Sequence, residues 1–182
     1  MTKTKPTPKT LHRKTNPEAE KHVTQWMISF VEKPHPYFGN MPPCPYAQKA
    51  RLDNKIEMVW LSQEDDDALV AEHIQQETFQ NIDVMIFMAD SDRWTWEQAT
   101  QLRQDLNTRF AAQDKVVLED HPLDNEKIGD VTMSNGKYCL LLAQRRSKLN
   151  RFSDVLSKTT DYYKNWSQQE LDDVVTWRFR DL

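Results

Sequence analysis

A chain of 182 residues can bury one core, and 38% hydrophobic with 10% aromatic content excludes a disordered polymer. The formal net charge is −4, yet Lys3, Lys5, Lys9, Arg13 and Lys14 all fall in residues 1–16 without an acid, which leaves 19 basic against 28 acidic residues beyond them. So acidic a body excludes broad contact with a phosphate backbone, and nucleic acid is expected, if at all, only at the basic N-terminal end.

Residues 1–15 are mostly Thr, Lys and Pro with a single leucine, a composition that predicts a disordered basic tail ahead of one α/β domain over 16–182. Asn16-Pro17 has the form of a helix start, with Asn16 as N-cap and Glu18 and Glu20 in the first turn. Val23, Trp26, Met27, Phe30 and Val31 then recur at helical spacing, and Lys33-Pro34 ends the helix.

The stretch that follows, 34–47, holds five of the nine prolines, one of the three glycines and one of the two cysteines. Proline fixes its own φ and restricts the residue before it, so such a stretch can hold a side chain in place without regular secondary structure. Pro45 suits the first position of a short helix to about Leu52, which makes Cys44 its N-cap. There the helix dipole and free backbone N–H groups are expected to lower the thiol pKa.

Residues 44–50, Cys-Pro-Tyr-Ala-Gln-Lys-Ala, resemble the glutaredoxin active site, in which Cys-Pro-Tyr-Cys opens a helix of a thioredoxin-type fold. Ala47 replaces the resolving cysteine, so the resemblance implies only a monothiol or sulfenic-acid role for Cys44. It covers seven residues, and the prolines of 34–43 exclude the strand that the family places before its cysteine. No membership follows from it.

A strand is predicted over 55–61, and Ser62 to Asp65 fits a capping box that opens an acidic helix. The near-continuous apolar run 83–88 reads as a strand covered on both faces, and the longest unbroken apolar run, 84–89, is far too short to span a membrane. The N-terminal residues lack the apolar core of a signal peptide, so a cytoplasmic protein with no membrane association is expected. Thr95 to Gln98 fits a second capping box, before a helix with Trp96, Ala99, Leu102, Leu106 and Phe110 on its buried stripe. A short strand at 116–119, a polar loop at 124–137 and a buried strand at 138–143 follow. A basic loop at 144–148 then leads to two terminal helices, the first near 151–163 with Val155 inward and the second after a Ser167 to Glu170 capping box. The expected fold is α/β, a mixed, largely parallel four-stranded sheet with packed helices, an N-terminal helix and two C-terminal helices.

Two constellations carry chemistry. Cys44 is a candidate nucleophile, redox thiol or ligand, with His35 and His121 as base or co-ligand. Asp90, Asp92 and His121 stand at strand carboxyl ends, where open parallel sheets bind ligands, and would suit Fe, Mn or Mg if they converge. The preferred reading is a small cytoplasmic enzyme of unknown reaction, thiol- or metal-based, acting on a small-molecule substrate. The alternative is a non-catalytic module that docks a protein partner through Tyr37, Phe38, Tyr46 and Trp94.

Overall fold

One mixed sheet organises the protein: β1 (Ile56–Leu61), β2 (Val84–Asp90), β3 (Lys115–Asp120) and, after a hairpin of β4 (Lys127–Ile128) and β5 (Val131–Thr132), β6 (Tyr138–Arg145). A computed structural model describes residues 14–124 and 127–180, so the tail expected at 1–15 lies outside the described residues up to residue 13. Lys14 is tied to the domain: its carbonyl accepts from Trp60 N at 2.9 Å, and its ammonium pairs with Asp65 at 2.6 Å.

The strand order is β1-β2-β6-β3. Only β1 and β2 pair in parallel, and β6 runs antiparallel to both its neighbours, so the sheet is not largely parallel as expected. An antiparallel neighbour needs no crossover helix, and β3 returns to β6 through the β4–β5 hairpin that occupies the expected polar loop. The start of β6 is buried on both faces, so its apolar run resembles that of an inner parallel strand.

Helix starts follow local side-chain chemistry. In α1 (Pro17–Trp26), Asn16 Oδ1 accepts from Glu18 N and Ala19 N at 3.2 Å each, and the helix continues as a π-helical turn over Met27–Val31. Both bonds of the capping box form at Thr95 before α4 (Trp96–Phe110), and again at Ser167 before α6 (Gln168–Val174). Ser62 and Asp65 do not open a helix. Asp65 Oδ2 accepts from Ser62 N and Oγ, while Arg93 donates to the carbonyls of Ser62 and Asp65, so the loop stays bent until α3 (Ala68–Gln76). The expected basic loop at 144–148 is the end of β6 and the start of α5 (Arg146–Thr159). Trp96 and Val155, expected inward, are 41% and 44% exposed.

Strand alternation sorts the core onto two faces. Val59, Leu61, Met85, Phe87, Val117 and Leu141 pack with residues of α3 and α4. Met58, Ile86, Met88 and Leu140 pack on the opposite side with Ala19, Val23 and Met27. A third cluster joins Phe38, Ile128, Val131, Leu156 and Tyr162, which ties the proline-rich stretch to the β4–β5 hairpin and the C-terminal helices. No helix among the described residues is long and apolar enough to cross a membrane.

Candidate functional site

The proline-rich stretch closes into a small turn that sets the position of Cys44. His35 N donates to Met41 O at 3.0 Å and Met41 N to Phe38 O at 3.1 Å, with Gly39 and Asn40 both in left-handed conformations between them. Cys44 N donates to Val31 O at 3.1 Å, which anchors the far end of the turn to the π-helical segment. The helix that follows, α2, runs Ala47–Leu52 with Tyr46 as its N-cap. Cys44 therefore stands two residues before the cap, its carbonyl accepting from Ala47 N at 3.1 Å. Tyr46 stacks on Phe152 of α5 at 3.7 Å between ring centroids, and the helix starts at Ala47 rather than at Pro45 as expected.

Behind the turn lies a cavity of about 340 Å³, lined by Ile86, Leu118 and Leu142 of the sheet and by Met27, Phe152 and Leu156 from the helices. That volume is at the small end of the ~300–1,000 Å³ range of ligand pockets. Cys44 is also in its wall and keeps accessible surface although protein surrounds it, so the thiol faces the cavity. Burial pushes the Cys44 thiol up, outweighing the backbone N–H groups of Tyr46 and Ala47 that act to lower it, and the charge of Glu32 adds to the rise. This reverses the expected direction: desolvation of the thiolate exceeds what two amide dipoles supply.

The polar part of the wall is unusual. Tyr162 donates to Pro43 O, and burial pushes the phenols of both Tyr162 and Tyr163 up. Lys148 pairs with Asp83, and Arg145 gives its guanidinium to the carbonyls of Thr78 and Phe79. Arg178, only 4% exposed, donates to Ser153 Oγ at 3.0 Å, leaves its Nε–H without an acceptor and pairs with no carboxylate among the described residues. Burial lowers its pKa. The indole N–H groups of Trp26 and Trp166, in the same wall, are likewise buried without acceptors.

Neither expected partner of Cys44, His35 or His121, is in the cavity wall. His121 is fully buried beyond the end of β3, where its Nε2 donates to Trp94 O at 2.9 Å and its Nδ1 accepts from Leu123 N at 3.1 Å. Trp94 belongs to the core on the α3–α4 face, whereas Cys44 faces the cavity on the other side, so the sheet separates the two residues. His35 Nδ1 accepts from Tyr37 N at 3.1 Å and caps the Pro36–Phe38 turn. Both histidines thus serve the backbone. Asp92 accepts from Gln63 at 2.7 Å, and the Asp90 carbonyl accepts from Arg93 N at 3.1 Å. Among the described residues no group of three or more His, Cys, Asp or Glu side chains could hold a metal ion. Cys139, expected to be inert core, is buried, and its thiol is pushed up to about 12 chiefly by burial.

Arg178, Ser153, Tyr162 and Tyr163 are the polar wall residues that the sequence did not single out. The one legible signal was a basic residue set among Val174, Val175, Trp177 and Phe179, too short a pattern to separate a buried arginine from a surface one. Compared with known proteins, the chain matches no family model, no curated protein and no solved structure.

The raised thiol sets an expected result. Since thiolate is the alkylated form, Cys44 in native protein reacts with iodoacetamide more slowly at pH 8 than a free thiol of pKa about 8.5, and its rate is still climbing above that pH. Mass spectrometry reads this with buried Cys139 as the slower internal standard. A Cys44 profile centred below the free-thiol value contradicts the assignment.

Proposed function

We propose that this chain binds a small apolar-bodied molecule in the cavity beside Cys44, and that any chemistry it performs there uses that thiol. The observation that carries the reading is the coincidence of a mostly apolar cavity with an accessible cysteine in its wall. Cys44 is the nucleophilic sulfur of the wall, and the raised pKa means that it meets its ligand as a neutral thiol. No imidazole among the described residues lines the cavity, so an enzyme of this kind would draw its proton acceptor from the wall carboxylates Glu119 and Asp120 or from the substrate. A reducing, cytoplasmic setting belongs to the same proposal and is supported by two free cysteines.

A protein-docking role for the 34–47 segment has less support. Phe38 and Trp94 are buried, Tyr46 is stacked on Phe152, and the half-buried Tyr37 donates its hydroxyl to Asn165 O, so most of the aromatic surface that would dock a partner is engaged within the protein. The test is protection. With decanol as an uncharged probe at about ten times its Kd, alkylation of Cys44 is expected to slow about tenfold while Cys139 is unaffected. Unchanged alkylation of Cys44 at saturating decanol refutes the binding reading.

A further inference from the structure

We infer that Arg178 is the anchor for the negative charge of the cavity's ligand, so that the molecule bound beside Cys44 is an organic monoanion, a carboxylate carried on an apolar body. This rests on the binding reading above and names the ligand class. A guanidinium removed from water is held in place by a carboxylate or by a full set of acceptors, because an isolated buried charge is heavily penalised. Arg178 has neither among the described residues: Ser153 Oγ takes one N–H, its Nε–H has no acceptor, and no acid pairs with it.

The surroundings select for the same chemistry. Three of the groups left unpaired in the cavity wall, on Arg178, Trp26 and Trp166, are donors, and a carboxylate is acceptor-only; the fourth, Glu119 Oε2, is an acceptor on a carboxylate whose other oxygen is already paired with Arg103. Arg presents a planar fork that matches two carboxylate oxygens. The charge is single because Lys148 is already paired with Asp83, Arg145 gives its guanidinium to the carbonyls of Thr78 and Phe79, and the carboxylates of Asp83, Glu119 and Asp120 in the same wall would repel a second negative group. In the same wall, Ile86, Leu118 and Leu142 offer hydrocarbon to the remainder of the molecule.

Decanoate and decanol, equal in chain length and differing in charge, decide the matter by titration calorimetry on the full chain with Cys44 alkylation as a second readout. The expected result is that decanoate binds about 10- to 100-fold more tightly than decanol, the size of one charge-assisted contact. Arg178→Met is expected to remove that preference, leave decanol affinity in place and melt no lower than the parent, since an apolar side chain there relieves an unpaired charge. Equal affinity of the parent for the two probes overturns the anion assignment and leaves the cavity reading standing. Failure of both probes to bind or to protect Cys44 overturns both. A lower melting temperature of Arg178→Met with the decanoate preference intact shows a structural arginine and overturns the assignment. Should that variant fail to fold, the two probes on the parent protein decide alone.

Discussion

Phe38→Ala is expected to cost about 3–5 kcal/mol of stability, the usual penalty for emptying a fully buried aromatic site. Phe38 is 0% exposed, stacks on Tyr162 at 5.4 Å and meets Trp166 edge-on at 5.9 Å. It is the residue through which the proline-rich turn grips the C-terminal helices, and the neighbouring Pro43 carbonyl depends on Tyr162 for its hydrogen bond. For a domain of this size the loss should lower the melting temperature by roughly 6–20 °C. Differential scanning calorimetry reads it directly, and a fall of less than about 1 kcal/mol would mean that the third cluster is not part of the core.

Gly39→Ala is expected to be nearly as damaging for a different reason. Gly39 has φ +63°, and a Cβ there would stand 2.7 Å from the backbone oxygen of Asp161, which no side-chain rotation can relieve. Left-handed backbone costs a non-glycine residue about 1–2 kcal/mol, and overpacking against a fixed neighbour about 1–3 more. Gly136 supplies the control, with φ +74° and nothing within 4 Å of the added Cβ. Gly136→Ala should therefore show the conformational part alone, about 1–2 kcal/mol. Denaturant midpoints of the two variants isolate the steric part. Equal losses would remove the close approach to Asp161 as an explanation for the glycine.

What could be read from the residue order was local. Asn16, Thr95 and Ser167 announce helix starts because the bonds that define a cap lie within three residues. Ser62 and Asp65 carry the same lettering and form no helix, because the deciding partner, Arg93, is supplied from the far side of β2. The importance of 34–47 was legible from its prolines, yet the sign of the Cys44 shift was not, since burial by Tyr162, Tyr163 and the sheet is invisible at the level of a helix start. His121 looked suggestive at a strand end, but its imidazole is turned into the α3–α4 face to serve Trp94 and Leu123. Strand direction was equally hidden. An apolar run states that a strand is covered on both sides and says nothing about which way its neighbours point.

The position of β6 has a consequence for how the molecule is made on the ribosome. It comes after β2 and β3 in chain order, yet it sits between them, bonded to both. A nascent chain that has reached residue 137 can pair β1 with β2, but β3 has no neighbour to join. The cavity wall is unfinished at that point too, lacking Leu142 and everything from α5 onward. The sheet is therefore completed only once β6 (Tyr138–Arg145) has emerged. C-terminal truncations that remove β6 should yield no smaller version of the domain, only chains with an open hydrophobic edge exposed to chaperones and proteases.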